Sequence, residues 1–189
     1  MPAWRESATM SVRVSTADAS CSSTAFQPNQ VFGYDLFGMG FVSDTAGGSS
    51  ETLFVGSYDG VGLGKVLFPS LTLQEVGAYD LVSGPAEITG TGDARLFGFF
   101  LTSPVTVAEL DKSNAHVLQQ WHPNVTIGSG WAFAAWGGSF YLFTAPNGFS
   151  SQIDRFDPVS NTTTTVVSDV GFVIGGAGVS TCAPVVPPN

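Results

Sequence analysis

Short apolar segments recur along the chain and are separated by turns rich in Gly, Ser, Asp and Asn. Their apolar residues do not show the three- and four-residue spacing of an amphipathic helix. Three segments read alike and begin at positions 53, 96 and 140, which are 43 and 44 residues apart: Leu53–Val55, Leu96–Gly98 and Phe140–Leu142. The pattern therefore predicts an all-β protein built from a repeat of about 44 residues.

Each repeat accounts for four strands. It begins with a flat strand of small residues: Phe37–Phe41, Ala86–Gly90 and Trp131–Ala135. It ends with a strand that follows a turn: Leu71–Val76, Ala115–Gln119 and Thr162–Val167. Four antiparallel strands at this period are typical of a propeller blade, in which small side chains let the innermost strands approach the central axis.

The turn before the last strand of a repeat contains residues that favour a specific backbone conformation. We expect the Asp157 side chain to accept hydrogen bonds from backbone amides just ahead of it. Pro158 presets φ at the next position, and Asn161 tolerates the left-handed region. The segment Asp111–Asn114 uses the same device without proline.

The two ends of the chain read as one further unit. Phe172–Val179 resembles another innermost strand, Val12–Asp18 a third strand with its turn, and Ser22–Phe26 a fourth strand. We therefore predict a small β-propeller of about four four-stranded antiparallel blades, the last split between the termini, because closure removes exposed sheet edges. The alternative is an open arc of a larger propeller.

The predicted organisation is a single propeller-like repeat domain with short segments at both ends. The domain covers residues 12–183, with units at about 37–80, 81–125 and 126–170 and a split unit of 171–183 with 12–30; residues 1–11 are expected to be flexible and 184–189 form a Pro-rich tail.

The two cysteines, Cys21 and Cys182, lie near opposite ends of the chain in no metal-binding pattern. Two alternatives stay open. They are unrelated thiols, or they form a disulfide that ties the split unit together, which requires Cα atoms within about 7 Å.

The amino-acid composition excludes several classes of protein and of binding partner. Hydrophobic residues make up 43% of the chain and charged residues 11%, which excludes a disordered chain. The net charge is −9, and the six Lys and Arg residues are scattered, so nucleic acid and anionic membranes are not expected partners. The longest apolar run, Gly171–Val179, is too short for a transmembrane segment.

The composition is that of a secreted protein, although residues 1–6 do not begin a signal peptide. Either the chain is cytoplasmic, or it begins inside a longer exported protein. We favour the second alternative and predict an extracytoplasmic or secreted location.

The stretch Ile153–Asn161 resembles the turn of kelch-like and quinoprotein-like propeller repeats, with Phe156-Asp157-Pro158 at its centre. The closing run Gly176–Pro184 resembles the end of uncharacterised exported bacterial repeat proteins. The absence of a Trp-Asp ending argues against WD repeats. These resemblances imply a β-propeller fold and do not imply an activity.

Candidate chemistry is sparse in this sequence. The two histidines, His116 and His122, are expected to be surface residues. The acid pairs Glu109/Asp111 and Asp154/Asp157 lie near turns, where solvated carboxylates are expected. Aromatic residues are clustered between positions 121 and 141. They are expected either to bind a ligand or to pack in the core. The ligand-binding candidates are Trp121, His122 and Trp131, with Trp136 and Tyr141 close by.

These observations favour a monomeric, non-enzymatic extracytoplasmic binding or structural module. Its ligand would be a glycan or a protein, and no cofactor or metal is expected. The alternative hypothesis is a polysaccharide-acting hydrolase or lyase with its site in the central funnel. That enzyme would need two or more acids from different units to converge at one funnel mouth.

Overall fold

The described part of the chain, residues 12–15, 17–27 and 29–188 of a computed structural model, contains strands and no helix. The predicted flexible segment, residues 1–11, lies outside the described residues. The strands are β1 (Val12–Val14), β2 (Cys21–Ser23), β3 (Phe37–Ser43), β4 (Glu51–Ser57), β5 (Leu63–Leu67), β6 (Thr72–Gly77), β7 (Ala86–Gly90), β8 (Leu96–Phe100), β9 (Thr106–Leu110), β10 (Val117–Trp121), β11 (Trp131–Trp136), β12 (Ser139–Thr144), β13 (Gln152–Asp157) and β14 (Thr162–Val167).

Twelve of these strands form three antiparallel sheets in which neighbours in sequence are neighbours in space. We call β3–β6 the first sheet, β7–β10 the middle sheet and β11–β14 the last sheet. The first strand of the middle sheet, β7, contacts the first strand of each of the other two, β3 and β11. This arrangement confirms the all-β, propeller-like fold with small-residue strands innermost.

The turns at Asp157 and Asp111 contain the predicted hydrogen bonds from backbone amides to the aspartate side chain. The Asp157 side chain accepts a hydrogen bond from the backbone amide of Val159 at 2.9 Å, and Asp111 accepts one from Ser113 at 2.8 Å. One residue, one or two positions before the last strand, has a positive φ in each of the three sheets. These residues are Leu71 at 55°, Ala115 at 69° and Asn161 at 53°.

Glycine lets the first and middle sheets pack backbone against backbone. A methyl group added at Gly38 would lie 2.6 Å from the carbonyl oxygen of Ala86, and one at Gly40 would lie 2.8 Å from that of Ile88. From the other side, a methyl group at Gly90 would lie 2.5 Å from the carbonyl oxygen of Phe41 and would overlap Val42. Any larger residue at these positions would push β3 and β7 apart.

Large side chains fill the two spaces between sheets. Between the first and middle sheets the core includes Val42, Phe54, Ile88, Leu96 and Phe100. Between the middle and last sheets it includes Phe97, Phe99, Phe133, Phe140 and Phe156. Large apolar side chains, above all Phe and Leu, thus pack the blades against one another at both interfaces.

The predicted closure of the propeller is wrong. The strands β1 and β2 pair only with each other, and residues 168–188 contain no strand. The Ser151 side chain and backbone instead bind the start of this segment: the Ser151 amide donates to the Phe172 carbonyl, and the Ile174 amide donates to Ser151 Oγ. A methyl group at Gly175, Gly176 or Gly178 would meet no atom within 4 Å, so little side-chain packing holds this run in a sheet.

The C-terminal segment, residues 172–185, nevertheless passes along the innermost strands. Its start lies beside Gly130, just before β11, where an added methyl group would meet Val173 at 3.0 Å. Further along, Ala177–Val179 help to enclose a cavity of about 220 Å³ beside Met39 and Phe41 of β3. Near its end, the Pro184 carbonyl accepts a hydrogen bond from the Gly137 amide at 2.7 Å.

The structure does not contain the Cys21–Cys182 disulfide. Both cysteines are free and exposed. Cys21 belongs to the β1–β2 hairpin, whereas Cys182 follows Thr181, whose hydroxyl donates to the Glu51 carboxylate at the end of the first sheet. Because the split blade does not form, nothing brings the two sulfur atoms together.

We predict that Gly90→Ala lowers the free energy of unfolding by about 2 kcal/mol, because the added methyl group overpacks the β3–β7 contact. Gly175→Ala is the matched control, since its methyl group enters open space, and we expect it to change stability by no more than about 0.5 kcal/mol. Urea denaturation followed by circular dichroism measures both values. Equal stability of the two variants would show that the sheets do not need the close contact at Gly90.

Candidate functional site

A cleft with a volume of about 50 Å³ lies between the middle and last sheets, at the end of β7. The C-terminal segment forms one wall of the cleft through Ala183–Val185. The side-chain types in the lining are aromatic, cationic and hydroxyl-bearing. Representative lining residues are Asp93, Arg95, Trp121, Trp136, Ser139 and Phe140.

Arg95 is fixed in position at the cleft. Its Nε and Nη2 atoms donate to the two carboxylate oxygens of Glu109 at 2.9 and 2.7 Å. The guanidinium carbon also lies 4.9 Å from the centre of the Phe97 ring. A planar ion pair and an aromatic contact together orient the guanidinium, and among the described residues its Nη1 atom has no hydrogen-bond partner. Arg95 therefore retains donor groups for a ligand.

Trp136 supplies a partly exposed aromatic surface at the end of β11. Its side chain is 42% exposed, and its ring packs edge-on against Tyr141 with 6.4 Å between the ring centres. The strand turns sharply after it because Gly137 and Gly138 have φ values of 60° and 76°, as in the two-residue turns of β-hairpins. The turn thus holds Trp136 at the rim of the last sheet.

The three residues proposed from the sequence occupy different environments. Trp121 lines the cleft but is only 9% exposed, and its ring packs 6.2 Å from that of Phe140. His122 is exposed, with Nδ1 3.2 Å from the hydroxyl of Thr106. Trp131 packs on Phe99, and no ring contact joins it to Trp121 in the described residues. The more exposed tryptophan of this part of the chain is Trp136.

The acid pairs considered from the sequence have structural roles. Glu109 holds Arg95, and Asp157 caps its turn. The Asp154 carboxylate is 1% exposed and accepts hydrogen bonds from the side chains of Gln152 and Thr165. Each carboxylate is thus committed to a protein partner.

Sequence reasoning missed Glu87, which lies on β7 among small and apolar residues. Burial raises the pKa of its carboxyl group to about 7, from an ordinary value of 4.5. Among the described residues, no other charged group contributes to this rise. The sequence does contain a signal for Glu87, because it is a single acidic residue in a strand of otherwise small or apolar residues.

Within residues 12–15, 17–27 and 29–188, no group of three His, Cys, Asp or Glu side chains is placed to hold a metal ion. The same residues contain no helix long and apolar enough to cross a membrane.

Comparisons with known proteins give limited information. No family model matches this sequence, and no curated protein sequence matches it. The kelch-like and quinoprotein-like resemblance therefore stays a prediction. Among solved structures, the chain is similar to hydrazine synthase of Kuenenia stuttgartiensis, with 17% identity and a TM-score of 0.49. The match covers 72% of this chain and 37% of that one, and at this level it carries no argument about function.

We predict that Glu87→Gln stabilises the fold above pH 7 and has little effect below about pH 4.5. The wild-type carboxyl is protonated in both states at low pH. Between pH 4.5 and 7 it ionises only in the unfolded chain, so the stability of the wild type falls as the pH rises, and above pH 7 the loss is complete. The difference reaches about 3 kcal/mol at 1.4 kcal/mol per pH unit between the two pKa values.

Urea denaturation at pH 4, 6 and 8 measures this difference. Glu75→Gln is the matched control, because Glu75 is exposed on β6. A constant gap between Glu87→Gln and the wild type across this range would contradict the raised pKa.

Proposed function

We propose that this domain is a non-enzymatic, extracytoplasmic binding module whose ligand is a glycan held at the cleft between the middle and last sheets. The proposal rests chiefly on one observation, the exposed Trp136 ring at the rim of a cleft that also contains the oriented guanidinium of Arg95. Sugars present apolar ring faces and hydroxyl groups, which an aromatic face and planar hydrogen-bonding groups complement.

The polar groups of the cleft support a ligand rich in hydroxyl groups. Arg95 offers hydrogen-bond donors, Asp93 offers acceptors, and the Ser139 hydroxyl offers both. The Ser139 hydroxyl also accepts from Arg155 Nε at 3.1 Å, which orients it. The small volume of the cleft favours recognition of one sugar unit at the rim over enclosure of a whole ligand.

A polysaccharide-cleaving enzyme receives less support. Glycoside hydrolysis by the usual route needs two carboxyl groups placed across the scissile bond. The shift of Glu87 has burial as its only cause, and Glu109 and Asp154 are engaged by protein partners. A binding role needs no such pair.

We predict that the wild-type protein is retarded in native gels containing at least one polysaccharide from a panel of neutral and acidic polymers. Trp136→Ala is expected to weaken this binding at least about tenfold, because it removes the exposed stacking surface. Isothermal titration calorimetry with oligosaccharides of the retarding polymer then measures the affinity of each variant.

Phe32→Ala is the matched control, since Phe32 is an aromatic residue 93% exposed on a different part of the chain. It should bind as the wild type does. Absence of retardation by every polymer, or equal retardation of Trp136→Ala and the wild type, would refute the glycan site.

A further inference from the structure

The cavity of about 220 Å³ lies beside β3, which is the edge strand of the first sheet. One wall is the place where β3 and β7 touch, because a methyl group added at Gly40 would lie 2.8 Å from the carbonyl oxygen of Ile88. Ala177–Val179 of the C-terminal segment form another wall. The cavity is therefore bounded by two innermost strands and by a segment that belongs to no sheet.

The residues that line this cavity are almost all apolar. Met39, Phe41 and Leu53 line it from the first sheet, and Ile88 lines it from the middle sheet. Thr89 is the one residue of the described lining with a polar side chain, and none of the described lining residues is charged. Water in such a cavity finds few polar partners, so an apolar molecule can displace it at little cost.

The wall formed by the C-terminal segment is loosely attached. The Ile174 amide donates to Ser151 Oγ at 2.8 Å before it, and the Thr181 hydroxyl donates to the Glu51 carboxylate after it. Among the described residues, Gly175–Val179 form no hydrogen bond between these two anchors. This stretch can therefore move aside to admit a ligand without breaking a hydrogen bond.

The burial pattern of the wall shows which of its side chains face the cavity. Ala177 and Val179 are partly buried, whereas Gly178 between them is exposed. A methyl group added at Gly178 would meet no atom within 4 Å. Alternate residues of an extended chain point to opposite sides, so Ala177 and Val179 face the cavity and Gly178 faces away from it.

The cavity is open to solvent beside β3. Met39 is 46% exposed and Phe41 is 41% exposed, although both residues line the cavity. The Phe41 ring stacks on that of Phe68 with 6.2 Å between the ring centres and 28° between the planes, which limits its rotation. A bound apolar molecule would remove part of these two side chains from water, which is favourable.

We propose that this cavity binds a small, neutral aromatic compound with a single ring. Its volume exceeds the roughly 150 Å³ of an apolar protein cavity that takes up benzene. The Phe41 ring and the Met39 thioether both make favourable contacts with an aromatic ring. The lack of charge in the described lining disfavours an ion. This site does not depend on the proposed glycan binding.

Nuclear magnetic resonance of the wild-type protein, labelled at the methionine methyl groups, tests the proposal. We expect toluene to shift the Met39 resonance, assigned with Met39→Leu, in a saturable way with a dissociation constant of about 1 mM. Benzoate and benzylammonium have the same ring and a charge, so each should bind at least about tenfold more weakly. Absence of a saturable shift with toluene, or equal binding of either charged compound, would overturn the proposal.

Two variants locate the site. Ala177→Leu fills part of the cavity and should weaken toluene binding at least about tenfold. Gly176→Leu is the matched control, because Gly176 is outside the lining and an added methyl group there meets no atom within 4 Å. It should bind as the wild type does. Near-ultraviolet circular dichroism checks that each variant is folded, and unchanged affinity in folded Ala177→Leu would contradict the assignment.

A third variant tests the aromatic class of the ligand. Phe41→Leu keeps an apolar side chain in the lining and removes its ring, so toluene should bind about fivefold more weakly. The titration with toluene measures this change. Unchanged affinity would show that the Phe41 ring does not contact the ligand and would overturn the preference for an aromatic compound.

Discussion

The close approach of β3 to β7 is the contact on which the rest of the structure depends. Two strands can pack with their backbones touching only where side chains are missing, and Gly38, Gly40 and Gly90 provide that space. The short distance brings Val42 and Ile88 into one buried cluster. It also places the partly buried Glu87 side chain against Gly38. A packing constraint thus determines the electrostatics of the centre.

Most of the strand pattern could be predicted from the sequence, because it depends on local features. The period of the apolar segments and the turn chemistry at Asp111 and Asp157 are properties of neighbouring residues. The exception was Phe172–Val179, which has the composition of an innermost strand but lacks a ladder partner. Composition records the tendency of a segment to be extended and does not record whether another strand is available to pair with it.

The candidate sites were harder to predict for a related reason. The sequence shows that tryptophans cluster between positions 121 and 136, but the exposed fraction of each depends on contacts with distant residues. Trp121 is covered by Phe140, and Trp136 lies at a rim. The pKa of Glu87 is likewise a tertiary property, since it arises from partial burial of the side chain in the folded chain. The middle sheet carries a cation, Arg95, at one end and the partly buried acid Glu87 at the other.

The three four-stranded sheets share no hydrogen-bonded ladder with one another in the described residues. Each sheet completes its own ladder. The first and middle sheets are joined by side chains, by glycine contacts and by isolated backbone hydrogen bonds, such as the one from the Ser43 amide to the Thr91 carbonyl. A fold of this kind can gain or lose whole repeats during evolution, because duplication or deletion of one repeat leaves every remaining ladder intact. Selection on such a chain acts separately on the pairing within a repeat and on the small residues that let adjacent repeats touch.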